Sequence, residues 1–413
     1  MAGPGVSEAE TARRAAGLAI FAATYAVIAV GRLPGFRLDR AGAAFLGASL
    51  MVAVGAISLP DAYRAIDMNT IILLLGMMIV VANLRLSGFF RLLTAWAAAR
   101  ARHPLVLLAA VVLLSGALSA FLVNDAVCLA FTPLVLDLVL GLKRNPVPYL
   151  LAVAMAANVG GVATITGNPQ NMIIGGLSGI GYARFAAALA PVAAVGLVLT
   201  FVLIALVWRE EFRTAERLAA ALPPARPNRV VMGKALLVTA ALMAAFFAGV
   251  PPAEAASLAG AVLLLSRRVK IQKIYDEIDW TLLLMFAGLF IVVAGFERTV
   301  LTPGLLAAIG GMHLASAPML SLVTAALSNI VSNVPAVLVL RPFVARLSDP
   351  ARAWLVVAMA STLAGNFTIL GSVANLIVVS RARARRVEIG FGTYFLVGGP
   401  LTVLTIVAGV LLL

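Results

Sequence analysis

The chain has 413 residues, is 62% hydrophobic and only 12% charged, and its mean hydropathy is +1.06. Apolar runs of membrane-spanning length recur from end to end, so a multi-helix integral membrane protein is expected and a soluble globular fold is not. The net charge of +14 does not indicate nucleic acid, because the basic residues fall in short groups between apolar spans, as cytoplasmic loops do.

One cysteine, Cys128, excludes an internal disulfide, and with two histidines, His103 and His313, no thiolate or histidine metal cage can be assembled. No cofactor is implied. The first residues mix Glu8, Glu10, Arg13 and Arg14 and lack a short apolar region with a small-residue cleavage site. No removable signal peptide is expected there.

In chain order, spans are predicted at 16–30 and 41–59, with a scaffold role for residues 1–66. A first unit, 67–208, opens with a span at 69–84 and an interfacial amphipathic helix at 89–102. Two apolar arms follow, 104–122 and 126–142, around the polar V-N-D-A at 123–126. Arg100, Arg102, Lys143 and Arg144 flank their outer ends. Like charge at both ends predicts a re-entrant hairpin with Asn124 and Asp125 at its tip, the alternative being two ordinary spanning helices joined by a short polar turn. The next apolar segment, 148–180, contains N-V-G-G-V-A-T-I-T-G-N-P-Q-N at 158–171. So polar and glycine-rich a stretch is predicted to break the helix, because irregular backbone at membrane depth survives only inside protein or beside a wet cavity. A span at 185–208 closes the unit. Residues 209–278 read as a cytoplasmic linker, polar over 209–229, and a helical pair, 234–250 and 253–265.

A second unit, 279–413, repeats the plan. E-I-D-W at 277–280 echoes A-I-D-M at 65–68. A span at 280–296 precedes a hairpin, 317–330 and 335–347, with V-S-N-V at its tip. A broken helix at 353–380, a basic run at 381–386 and a span at 391–412 complete it. Residues 153–174 align without a gap on 357–378, with Gly161/Gly365, Thr164/Thr368, Gly167/Gly371 and Asn171/Asn375 among the identities. Asn124 matches Asn333, and Pro133 matches Pro342. The fold class expected is therefore an all-α integral membrane protein with two inverted-topology repeats, each carrying a re-entrant helical hairpin and a broken transmembrane helix. Placing 209–229, 267–273 and 381–386 in the cytoplasm gives the units opposite orientation. Hairpin one then opens to the cytoplasm and hairpin two to the outside. The same count leaves the N-terminus outside, against the charge of Arg13 and Arg14.

The candidate site gathers Asn124, Asp125, Thr164, Thr166, Gly167, Asn168 and Asn171 from unit one. Unit two contributes Ser332, Asn333, Thr368, Gly371, Ser372 and Asn375. Amides and hydroxyls both donate and accept hydrogen bonds. The glycines at 160, 161, 167, 365 and 371 allow unwound backbone near a ligand. Helix N-termini favour an anion, and exposed carbonyls suit Na⁺, for which Asn124, Asp125, Gly167, Asn333 and Gly371 are the candidates. Asp125 is ionisable at membrane depth, and its repeat position is Val334. It is expected to carry the coupling ion, the alternative being a helix cap. Arg341 is expected to snorkel outward.

The motifs N-D-A-V-C-L-A-F-T-P at 124–133 and T-G-N-P-Q-N-M-I-I at 166–174 resemble the ion transporter superfamily. They look most like its arsenite and silicic acid efflux permeases, which are related to the divalent anion/sodium symporters. The resemblance implies an inverted-repeat fold, a homodimer, hairpin tips meeting broken helices, and an elevator-type alternating access. It also implies an energising ATPase subunit as a partner, besides membrane lipid and a small inorganic or organic anion. The Ser-Asn-Thr tip of the dicarboxylate symporters is replaced by Val123-Asn124-Asp125 and Ser332-Asn333-Val334, which argues against a dicarboxylate. The function expected is a secondary active transporter in the cytoplasmic (inner) membrane. It would move a small oxyanion or metalloid hydroxide, arsenite or antimonite first, outward and coupled to H⁺ or Na⁺. A Na⁺-coupled di- or tricarboxylate transporter and a Na⁺/H⁺ antiporter are the alternatives. No Ser/His/Asp set, metal triad or phosphate loop supports an enzyme.

Overall fold

The computed structural model describes residues 8–30, 38–213, 227–266, 268–300 and 315–413, and every regular element among them is helical. Among the described residues, eight helices are long and apolar enough to cross a bilayer. They are α1 (Glu8–Val30), α4 (Met68–Leu86), α6 (Pro104–Phe121), α7 (Asn124–Gly141), α10 (Tyr182–Val207), α12 (Arg229–Phe247), α15 (Trp280–Thr299) and α20 (Phe391–Leu412). Shorter apolar helices lie between them: α2 (Arg40–Ala53), α8 (Pro146–Gly161), α9 (Pro169–Ser178), α13 (Pro252–Leu264), α16 (Ala317–Val331), α17 (Asn333–Val344), α18 (Pro350–Ala364) and α19 (Val373–Ala384). The connecting helices are α3 (Leu59–Ala65), α5 (Phe89–Arg100), α11 (Arg209–Phe212) and α14 (Ile271–Tyr275). The chain is a multi-pass integral membrane protein.

One predicted span is shortened. The apolar run 41–59 is helical only to Ala53, because Gly55 turns at φ 71° and Ser58 opens α3 by accepting from the N–H of Asp61. Part of the polar linker, 214–226, lies outside the described residues.

Among the described residues the two units share one order of elements. Hairpin α6–α7 corresponds to α16–α17, the interrupted helix α8/α9 to α18/α19, and α10 to α20. The match extends to the helices in front of each unit. Asp67 and Asp279 both cap the span that follows them. Gly76 of α4 lies against the backbone of Ala256 in α13, and Gly288 of α15 lies against the backbone of Ala44 in α2. Both members of these two crossings are related by the same shift of 212 residues. A Cβ at Gly76 would fall 2.5 Å from the Ala256 carbonyl oxygen, so only glycine permits that approach. Each unit's first span is thus packed on the helix that precedes the other unit.

Ion pairs show the directions. Arg85, at the end of α4, pairs with Glu277, just before α15. Arg298, at the end of α15, lies 2.6 Å from Asp61, just before α4. The two corresponding spans therefore run in opposite directions. Arg144–Glu211 (2.8 Å) and Arg385–Asp137 (3.1 Å) bring the outer end of hairpin one, the polar linker and the basic run at the end of α19 to one end of the molecule. The charge rule places the linker and the basic run on one face, and the span count from them places the outer end of hairpin one there too. Arg341 does not line the cavity between the hairpin tips; its side chain is 37% exposed and lies 4.0 Å from Glu297 of α15.

At the centre stand α8 and α18. Every residue of α8 from Pro148 to Gly161 is buried, as is every residue of α18 from Ala353 to Ala364. Helices apolar all round belong in the core, and these two carry the breaks.

Candidate functional site

Each interrupted helix stops inside the protein and restarts a few residues later. After α8, Thr164 is extended (φ −140°, ψ 166°), residues 165–167 make one 3₁₀ turn, and Asn168 is extended again (φ −161°, ψ 163°). After α18, Thr368 (φ −136°, ψ 165°), residues 369–371 and Ser372 (φ −145°, ψ 144°) do the same. Unwinding frees carbonyls that need partners in a water-poor core. The amide of Asn171 donates to the carbonyls of Gly161 (3.0 Å) and Thr164 (3.0 Å). Its counterpart Asn375 donates to Gly365 (2.7 Å) and Thr368 (3.1 Å). Gly167 and Gly371 sit so close to Gly161 and Gly365 that a Cβ at either would press on the facing carbonyl. These residues hold the break, and the carbonyls at 161, 164, 365 and 368 are already engaged.

A hydrogen-bond network joins the units through Asn158. Its Oδ1 accepts from Asn124 Nδ2 (2.9 Å) and Ser372 Oγ (3.1 Å), and its Nδ2 donates to Asn366 Oδ1 (2.8 Å) and Asn375 Oδ1 (3.0 Å). The corresponding position in unit two is Thr362, whose hydroxyl accepts from Asn168 (3.2 Å) and Gln170 (3.0 Å). Each α8/α18 position thus binds the residue that restarts the other unit's broken helix.

Beside this network lies a cavity of about 300 Å³, at the lower bound for small-molecule sites. Of the thirteen residues singled out in the sequence, Asn124, Asp125, Ser332, Asn333 and Ser372 line it. Thr164 and Thr166 do not: Thr164 donates to the carbonyl of Ala120, and Thr166 lies 2.7 Å from the Tyr182 hydroxyl. Gly167, Asn168, Asn171, Thr368, Gly371 and Asn375 support the break behind the wall.

Asp125 stands in the first turn of α7, whose N-cap, Val123, makes no side-chain capping bond. Asp125 faces the backbone N–H of Ala374 in the first turn of α19. Asn333, oriented to satisfy both ends of its amide, donates to the carbonyls of Ser361 (3.1 Å) and Gly371 (3.2 Å). Ser332, between α16 and α17, is held at φ 76°, ψ 162°, a region otherwise reserved for glycine.

The wall also holds residues that the repeat pattern does not indicate: Asp39 and Arg40 at the start of α2, Gln170 of α9, and Asp279 and Thr281 at the start of α15. Asp39 and Asp279 each spend one oxygen capping a helix, accepting from Gly42 N (2.8 Å) and Leu282 N (2.9 Å). In the sequence they look like span starts and nothing more. Asn158 did have a signal, since it opens the polar stretch. A smaller pocket, about 220 Å³, is lined by Asn69, Thr70, Pro251 and Pro252. These are the 212-residue counterparts of Thr281, Leu282, Asp39 and Arg40, so this pocket is the matching place on the other unit. It does not reach either hairpin tip.

Residues 25–364 match the citrate transporter family, CitMHS. The chain belongs to that family. This CitMHS member is 30% identical over 411 residues to an uncharacterized transporter of Mycobacterium tuberculosis, covering 94% of this chain and 95% of that one. It is 28% identical over 454 residues to the silicon efflux transporter LSI3 of Oryza sativa subsp. japonica, covering 92% and 93%. The resemblance read from the two motifs to the arsenite and silicic acid efflux branch thus extends over the full length. The crystal structure of the Alcanivorax borkumensis YdaH transporter, described as having an unusual topology, matches with a TM-score of 0.60 over 98% of this chain and 97% of that one, at 16% identity. That likeness is one of fold.

Proposed function

We propose that this CitMHS-family protein is a secondary active transporter that carries a small neutral hydroxide across the cytoplasmic membrane, outward and coupled to H⁺ or Na⁺. Arsenite, antimonite and silicic acid are the substrates of that chemistry. The observation that carries the reading is the charge of the cavity wall: three carboxylates (Asp39, Asp125, Asp279) against one guanidinium (Arg40). At low dielectric such a wall repels a polyanion strongly. It suits a ligand that offers O–H donors to Asn, Ser and carboxylate acceptors. The rice relative's name as a silicon efflux transporter supports the same class. Alternating access would exchange the cavity beside Asp279 for the matching pocket beside Asn69. The homodimer and an energising ATPase subunit belong to the same reading.

The family description favours a second reading, a citrate-type anion carried with cations that offset the carboxylates. Purified protein in vesicles decides between them. Flux of arsenite, silicic acid, phosphate, sulfate and citrate is measured under imposed H⁺ or Na⁺ gradients. Metalloid flux driven by one gradient is expected; Na⁺-driven citrate flux without metalloid flux would replace the first reading by the second.

A further inference from the structure

We infer that the junction of α10 and α11 holds the headgroup of one anionic phospholipid, with Arg209 and Arg213 on its phosphate and the exposed face of α10 as the track for its acyl chains. A pocket of about 680 Å³ lies at that junction, and three guanidiniums (Arg144, Arg209, Arg213) and two carboxylates (Glu210, Glu211) line it. Arg144 and Glu211 offset each other, since they pair at 2.8 Å. Arg209 and Arg213 are exposed and have no ion-pair partner among the described residues, which leaves Glu210 as the other carboxylate of the lining. The surplus is one positive charge carried by two guanidiniums, which matches a single phosphodiester. Guanidiniums bind phosphate oxygens through paired, charge-assisted hydrogen bonds.

Two further observations favour a lipid over a free anion. Val195, Val198, Val202 and Leu206 of α10 are between 40% and 62% exposed. Their spacing puts them on one helix face, and Leu206 also lines the pocket. From 195 to 206 the helix rises about 16 Å, against about 15 Å for one hydrocarbon leaflet. An apolar face of that length, ending in a basic pocket, has the dimensions of one phospholipid. Trp208, half-buried in the pocket wall, stands where indole rings mark the edge of the hydrocarbon. The charge rule puts this end of the molecule on the cytoplasmic side, the leaflet that carries anionic lipid. The pocket is also tied to the first broken helix. Tyr149, in the first turn of α8, donates its hydroxyl to Glu211 Oε1 (3.3 Å), and its ring stands edge-on to Phe212 at 5.8 Å. A headgroup on Arg209 and Arg213 therefore braces α11 against the start of α8.

The full chain, purified and delipidated in a neutral detergent, is titrated with phosphatidylglycerol, phosphatidylcholine or soluble glycerol 3-phosphate while thermal unfolding is followed. Saturable stabilisation by phosphatidylglycerol alone is expected. The double variant Arg209→Gln/Arg213→Gln should raise the half-saturating lipid concentration about thirtyfold, the combined scale of two basic side chains at an anionic surface. Glu210→Gln should lower it. Arg381→Gln/Arg383→Gln, on the exposed basic run at the same end, should leave it unchanged. The inference is overturned if phosphatidylcholine stabilises equally, or if glycerol 3-phosphate does so without acyl chains. It is also overturned if the 209/213 variant responds like wild type or loses no more than the 381/383 control. None of these readings needs substrate flux, so their failure leaves the transport proposal standing.

Discussion

Asn158 is the side chain on which the two units meet. Its four bonds reach one hairpin tip, the restart of the other unit's helix and two further amides. Interhelical polar contacts in membranes average about 0.6 kcal/mol each. Asn158→Ala should therefore destabilise by about 2 kcal/mol, measurable as a lowered unfolding midpoint in detergent. Asp125 behaves differently, since its backbone partner, the N–H of Ala374, lies on another element at the start of α19. Asp125→Asn is expected to fold at wild-type stability or better, because it removes a buried charge, and to lose gradient-driven flux. Full flux with lowered stability would mean that the carboxylate serves structure. Ser332 carries strain of about 1–3 kcal/mol in a glycine-only conformation. Ser332→Gly should raise the unfolding midpoint, with lower flux if the tip must move between conformations.

At the scale of elements, the hairpins differ in how tightly they are held. Gly116 of α6 packs directly on the Leu197 side chain of α10, and Gly160 of α8 touches the backbone of Gly116. The corresponding positions in unit two are Ala325, Ile406 and Ala364. There an apolar groove opens between α16 and α20, lined by Leu322, Ala325, Val403 and Ile406. Gly160→Ala would force a separation on hairpin one. Overpacking of this kind costs about 1–3 kcal/mol, so circular dichroism should show native helix content with a reduced unfolding midpoint.

For the whole molecule, the decisive feature is that two matched spans run in opposite directions while the cavity opens beside only one of them. Thr281 lines the large cavity, and its counterpart Asn69 lines the small pocket. In a Cys128→Ser background, Thr281→Cys should react with a membrane-impermeant thiol reagent faster than Asn69→Cys. Conditions that drive turnover should shift reactivity toward position 69. Equal rates that no gradient alters would rule out exchange between the two pockets.

The amino-acid sequence by itself determined the helical membrane class, the duplicated unit, both hairpins and both breaks. These follow from local causes: apolar run length, glycine and amide content in mid-span, and identities at a constant spacing. The tertiary structure decided which polar residues reach the cavity. Asn124, Asp125 and Asn333 do, whereas Asn171 and Asn375 turn inward to the carbonyls of their own breaks. An amide in a polar stretch reads the same whether it faces a ligand or a freed carbonyl, so only packing separates the two. Asp39 and Asp279 enter the wall for the same reason. Each is an ordinary N-cap in its own segment, and it becomes part of a charged cavity only because the scaffold spans cross between the units and bring helix starts beside the hairpin tips.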